Sequence, residues 1–272
     1  MRKKVLLTCF LVPSLTVFVA FFLLPVALLV PQSLDTPIGW GLYAQVITNP
    51  RYLASLMDTV LLSLVVTAAA LIMGGTAALF LERNRFPGRS ALIGMLTLPL
   101  SFPGVVVGFM VIMLAGRQGL IGQATNAVFG SKLVFAYSVA GLFLGYLYFS
   151  IPRVVTTVMA ASGKLDTALE EAARTLGASP LRTLIDVVIP AMTPALVSTG
   201  AICFATSIGA FGTAFTLATE INVLPIVIYT EFTLSANIAT AAMLSVVLGL
   251  VTWLTLFLAH LLSGAETTGG GA

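Results

Sequence analysis

Long apolar runs separated by short polar breaks make up most of this chain. A helix needs about 20 apolar residues to cross the roughly 30 Å hydrocarbon core of a bilayer. Six runs reach that length: 5–30, 59–81, 90–115, 133–160, 191–218 and 238–262. The pattern predicts an all-α membrane protein of about six transmembrane helices, with 1–272 as a single transmembrane domain. The first run follows Arg2-Lys3-Lys4, as a signal peptide would. It far exceeds the roughly 7–15 residues of a signal core, and no clean small-residue cleavage site follows, so it is expected to be retained. Pro13 and Pro25 are expected to kink it, which membrane helices tolerate.

The connections read as polar. Residues 32–58 hold Pro37, Gly39 and Pro50, with Trp40 and Tyr43 suited to a membrane–water interface. Shorter connections fall at 82–89, 116–132 and 219–237, and a Gly/Thr-rich tail at 263–272 is expected to fray. Because successive helices reverse direction, the N-terminus, the Arg83 loop, the Lys164 loop and the tail share one side. That side holds Arg2, Lys3, Lys4, Arg83, Arg85, Arg89, Lys164, Arg174 and Arg182, with Arg153 toward the same end of the fourth helix. The other side holds only Arg51, Arg117 and Lys132. Basic residues mark the cytoplasmic side, so both termini are expected there.

Composition removes whole classes of function. The chain is 58% hydrophobic and 8% charged, whereas soluble domains are about 45–50% apolar and about 25% charged. Its polar residues are too few to cover a water-facing surface. Cys9 and Cys203 lie inside apolar runs and His260 is the sole histidine, so neither a metal site nor a His-based catalytic cluster is expected. No cofactor and no nucleic-acid partner are expected. A membrane-embedded enzyme would need a convergent nucleophile and base, and Ser101 and Ser207 have no evident base beside them.

Charge is concentrated in one internal loop, about 161–190, where Lys164 to Asp186 holds seven charged residues. Residues 168–176 favour a helix. Asp166 and Thr167 are both N-cap candidates, and Thr167 with Glu170 has the spacing of a capping box. Glu170 and Glu171 near the start, and Arg174 near the end, suit the helix dipole. Glu170 and Arg174 also stand four residues apart. Gly177 supplies the left-handed residue that ends many helices, and Pro180 suits the first turn of another. The residues alone predict a helix–glycine turn–helix. They leave open whether it is a solvated re-entry loop or a docking segment.

Glu171-Ala172-Ala173, then three residues, then Gly177, with Pro190 thirteen residues further on, resembles the signature of the integral-membrane subunits of binding-protein-dependent ABC importers. Val187 and Ile189 stand where that signature has Ile and Leu. The resemblance extends over most of the chain and implies a type I ABC importer permease fold in the bacterial inner membrane. It implies that Glu170, Glu171, Ala172, Ala173, Arg174, Gly177 and Pro190 couple the chain to a cytoplasmic ATPase dimer. It further implies a second permease subunit, the same chain or another, and an extracytoplasmic solute-binding protein, all assembled in membrane lipid. The chain has no GxxxxGKS/T run, so it is expected to be a permease without an ATPase site of its own.

Two segments are candidates for the translocation path: Ser101 and Phe102 in the third run, and Thr206, Ser207, Phe211 and Thr213 in the fifth. Small and hydroxyl residues there serve equally for close helix packing. The Gly104/Gly108 and Gly141/Gly145 pairs read as packing. The wording of these segments is similar to permeases of the polyamine, iron(III), sulfate and 2-aminoethylphosphonate group. That group often has an acidic residue where this chain has Ala210. Neither the third nor the fifth run contains a deep fixed charge, so the sign of the solute stays open. The rival reading is a secondary transporter or channel subunit, which would usually carry intramembrane charges and internal repeats.

Overall fold

The computed structural model describes residues 11–217 and 221–264. Arg2-Lys3-Lys4, Cys9, the start of the first run, Glu220 and the tail beyond residue 264 lie outside the described residues. The described chain is helical, with no strand. Helix α1 spans Leu11–Leu34 and contains a π-helical stretch at Val19–Leu23. It is followed by α2 (Gly41–Thr48), α3 (Pro50–Arg83), α4 (Arg89–Thr97), α5 (Gly104–Ala115), α6 (Leu120–Phe129) and α7 (Val139–Ser162). Then come α8 (Thr167–Thr175), α9 (Pro180–Ile208), α10 (Phe211–Leu217), α11 (Leu224–Thr233) and α12 (Ile238–Gly264). Among the described residues, six helical stretches are long and apolar enough to cross a membrane.

Several boundaries differ from the apolar runs, each for a local reason. Helix α3 starts at Pro50 because the Asn49 side chain accepts from the Arg51 amide at 2.9 Å and proline fits the first helical position. Residues 50–58 therefore belong to the helix rather than to a polar connection. The third run breaks in its middle. Pro99 and Pro103 lack amide donors, and Phe102, which precedes a proline, is extended at φ −92°, ψ 132°. One 3₁₀ turn, Leu98–Ser101, separates α4 from this break. Helix α6 does not prolong the crossing, because the amides of Phe135 and Ala136 both return to the Ala115 carbonyl at 3.1 Å. The fifth run starts early, at Pro180, and breaks at Gly209–Ala210 before α10.

The core is the packing of α3, α7 and α9. Val66, Ala70, Ala78, Val154, Val155, Val158 and Cys203 are all buried there. Small residues permit the close approach. A Cβ at Gly74 would stand 2.9 Å from Val154 Cβ, and one at Gly108 would stand 2.6 Å from Thr216 Cβ. One at Gly145 would stand 2.6 Å from Thr213 Cγ2. Gly104 and Gly108 of α5 and Gly145 of α7 thus stand against α10, whereas a Cβ at Gly141 would meet the Ala136 backbone. Helix α12 packs on α9 and α1 and turns Leu250, Trp253 and Phe257 outward, where lipid is the only favourable solvent.

Residues 219–237 hold a helix rather than a simple polar connection. Helix α11 is apolar, and its one carboxylate, Glu231, is buried. Glu231 Oε1 accepts from Arg51 and from the Tyr52 hydroxyl, both at 3.2 Å. The Leu224 amide donates to Thr59 Oγ1 at 2.8 Å. These bonds tie α11 to the first turns of α3.

Candidate functional site

The charged loop folds as a helix–turn–helix at one end of the bundle, directly after α7. Asp166 caps α8, its Oδ1 accepting from the Ala168 amide at 2.9 Å. Of the two N-cap candidates, Asp166 holds the position and Thr167 is the first helical residue. The far end closes with paired bonds. The Gly177 amide donates to the Arg174 carbonyl at 2.9 Å, and the Ala178 amide to the Ala173 carbonyl at 3.0 Å. This is the Schellman arrangement, and it needs a left-handed residue at its centre. Gly177, at φ +84°, provides it. Ser179 then caps α9, its hydroxyl accepting from the Arg182 amide at 3.3 Å, and Pro180 takes the first helical position. Pro190 sits inside α9, whose turns widen to π geometry at Leu184–Val188 just before it. The missing proline amide and the widened turn fall together, so one helix continues through the signature proline.

The two glutamates differ. Glu170 is anchored: Arg83 donates to its Oε1 at 2.7 Å, and Arg174 stands 3.9 Å from its Oε2. The predicted partner four residues on is thus the more distant of the two. Arg83 is 37% exposed, and such a pair is worth about 0.2–1 kcal/mol. It sets the position of α8 more than it stabilises the fold. Glu171 and Ala172 face solvent, and Ala173 is half-buried. No residue of α8 is buried. Leu169, Leu176 and Leu181 are 54%, 89% and 66% exposed, and they flank the turn. A recess of about 290 Å³ between the turn and α9 is lined by Ala173, Leu176, Gly177, Arg182 and Asp186, among others. A nine-residue helix is too short to be stable by itself in water. Here two caps and one ion pair hold it, while its slim apolar face is left uncovered.

A second site lies where the broken third and fifth runs meet. A cavity of about 420 Å³ is lined by Pro99, Leu100, Phe102 and Gly104 from the first break, and by Gly209, Ala210, Phe211, Gly212 and Thr213 from the second. Phe149 and Arg153 of α7 complete it. Thr213 donates to the Gly104 carbonyl at 3.0 Å, and Tyr146 to the Ala210 carbonyl at 2.9 Å, which fixes the breaks against each other. Phe211 stacks with Phe215 and Tyr229, with ring centres 5.2 and 5.4 Å away. Of the path candidates, Phe102, Phe211 and Thr213 line this cavity. Thr206 reaches it through Arg153, whose Nη1 donates to Thr206 Oγ1 at 2.7 Å. Ser101 is exposed outside its lining, and Ser207 is fully buried with its hydroxyl unpartnered among the described residues.

Arg153 lies within the fourth span, nearer the end toward which the sequence reading put it but well short of that end. It lies fourteen residues after Val139 in a helix that ends at Ser162, or about 21 Å from one end and 14 Å from the other. It is thus an intramembrane charge and does not belong in the tally of loop residues. At such depth a guanidinium costs about 2.5–3.5 kcal/mol even on insertion scales. The signal available in sequence was its distance from the next polar residue groups, obscured because Thr156, Thr157 and Ser162 soften the end of that run. Among the described residues, no group of three or more His, Cys, Asp or Glu is placed to hold a metal.

Comparison with known proteins identifies the family and the fold. The family described as "binding-protein-dependent transport system inner membrane component" matches residues 68–265. PhnU of Salmonella typhi, provisionally named a 2-aminoethylphosphonate transport system permease, is 30% identical over 264 residues, 94% of this chain and 91% of that one. The sulfate transport system permease CysT of Escherichia coli K12 is 35% identical over 208 residues, 76% of this chain and 73% of that one. The molybdenum transport system permease ModB of the same organism is 33% identical over 210 residues, covering 74% and 89%. Among solved structures, a chain of a bacterial ABC transporter for import of the acidic polysaccharide alginate superposes with a TM-score of 0.83 at 17% identity, over 97% of this chain and 96% of that one. A chain of the MetNI methionine transporter, captured facing inward, gives 0.60 at 17% identity, covering 78% and 94%. At these identities the structures speak for the fold alone.

Proposed function

Because the chain belongs to the family of inner membrane components of binding-protein-dependent transport systems, we propose that it forms half of a solute path and is driven through its 171–190 segment by a separate ATPase. The chain is a permease subunit of a type I ABC importer and a multi-pass protein of the bacterial inner membrane. The observation that carries the coupling is the state of α8. It is capped at both ends and tied to Arg83, yet Glu171, Ala172 and Leu176 stand exposed with nothing packed on them. Its slim face fits a groove on a partner, and Glu171 can add a charge-assisted bond there. The bias of Arg and Lys in the sequence toward that side supports a cytosolic position for the helix and for both termini.

On this reading the partners are a cytoplasmic ATPase dimer, a second permease subunit and an extracytoplasmic solute-binding protein. Closure of the ATPase dimer moves α8, and α9 carries the motion into the bundle because it continues unbroken from the turn to the cavity at Gly209. The solute is a small ion or polar metabolite. Polyamine, iron(III) and 2-aminoethylphosphonate all come within the resemblance. Relatives named for 2-aminoethylphosphonate, sulfate and molybdenum favour a small oxyanion.

The test is uptake by the complete importer in proteoliposomes, with ATP or with a proton gradient as the sole energy source. ATP-dependent uptake that is lost in Gly177→Asp, with the bundle still folded, is the expected result. A Cβ built onto Gly177 meets nothing within 4 Å beyond its chain neighbours, so the added group would be felt by the left-handed backbone and by the partner. Uptake driven by the proton gradient alone would favour a secondary transporter.

A further inference from the structure

Within the mid-membrane cavity we propose that Arg153 is the contact for the solute and that the solute is an oxyanion, bound through its anionic oxygens. The proposal rests on the permease reading and adds to it the charge of the cargo and the residue that senses it. Arg153 supplies the charge that the third and fifth runs lack, and it lines the cavity beside Phe102, Phe149, Ala210 and Phe211. None of the ion pairs among the described residues involves it. Position 210 is an alanine, so no carboxylate neutralises the guanidinium there.

The hydrogen bonding is one-sided. Thr206 directs its own proton to the Ile202 carbonyl at 2.9 Å or the Cys203 carbonyl at 3.0 Å, which leaves its lone pairs for Arg153. A guanidinium has five N–H donors in a planar fork. Thr206 takes one, and among the described residues no other acceptor takes the rest. Intramembrane charge without a partner is costly, and such residues face a pathway and meet a ligand or counter-charge there. The fork matches two oxygens of a phosphonate or sulfate group. The aromatic rings around the cavity could by themselves attract a cation. A full positive charge among them outweighs that attraction and repels a polyamine or a metal ion.

Two measurements on the full importer test this. In proteoliposomes holding the ATPase, the second permease and the binding protein, uptake is measured for radiolabelled sulfate, molybdate, 2-aminoethylphosphonate and putrescine. One oxyanion is expected to be taken up and putrescine not. Arg153→Gln is expected to lower the oxyanion rate about tenfold or more, as loss of a charge-assisted contact should, and Arg153→Lys is expected to recover much of it. Wild-type uptake by Arg153→Gln, or putrescine as the transported solute, overturns the proposal. The second measurement needs no ATP. With Phe102→Cys in a Cys9→Ser, Cys203→Ala background, the new thiol is labelled by a sulfonate-bearing and a trimethylammonium-bearing methanethiosulfonate. Adding Arg153→Gln is expected to reduce the ratio of anionic to cationic labelling rates about tenfold. An unchanged ratio sinks the oxyanion assignment even if the importer is ATP-driven. A changed ratio with no ATP-driven uptake sinks the permease reading instead.

Discussion

At the scale of single residues, the signature is a set of unequal parts. Gly177 is required by its own backbone, since φ +84° is a conformation that costs other residues roughly 1–2 kcal/mol. Glu170 and Glu171 are adjacent and chemically identical, yet one is spent on Arg83 and the other is free for a partner. Sequence could not separate them, because the deciding partner lies 87 positions away. The structure predicts different mutant behaviour. Glu171→Ala should lower ATP-driven uptake with no change in Tm. Glu170→Ala should lower it less, and the exchange Arg83→Glu with Glu170→Arg should restore it. Equal losses from both alanine variants, without rescue by the exchange, would refute the division of roles. The helix-forming residues up to Leu176, followed by Gly177, made the turn itself legible. The depth of Arg153 was harder to read, because the depth of a charge depends on where its helix ends, and α7 runs on to Ser162.

At the scale of elements, apolar length located the crossings, while prolines and caps moved their ends. Asn49 and Pro50 extend α3 backward, and Pro99 with Pro103 split the third run. Such breaks are tolerated in a membrane only where they line a cavity or are buried in protein, and both breaks meet at one cavity. Helix α11 was hidden for a different reason: Glu231 looks like a loop residue until its buried partners Arg51 and Tyr52 are seen. The packing of α5 on α10 gives a sharp test. Gly108→Leu must displace Thr216, which would lie 2.6 Å from the new Cβ, and it should destabilise the bundle by about 1–3 kcal/mol. Gly75→Ala meets nothing within 4 Å and should be neutral or stabilise by up to about 1 kcal/mol through helix propensity. Thermal unfolding in detergent distinguishes them, and comparable Tm values for the two variants would contradict the packing described.

At the scale of the molecule, one helix links two sites. The exposed helix α8 ends at Gly177, and α9 starts three residues later and runs without interruption to the break at Ile208, beside the cavity. On the proposed coupling, motion imposed at the turn would reach the cavity through this one element, which is packed on α3 and α7. The membrane class of the protein was readable from its runs of apolar residues, and the helix–glycine turn–helix from its residues. The cavity was not readable, because it is formed only when residues more than 100 positions apart, such as Gly104 and Thr213, come within 3.0 Å. The central claim is that α8 receives force from a separate ATPase, and the most direct test is a photo-crosslinker at Leu176, which is 89% exposed. In sealed membranes holding the whole importer, the account predicts an adduct with the ATPase subunit, lost when that subunit is stripped away. No adduct with the ATPase, or labelling of position 176 only from the extracytoplasmic side, would contradict it.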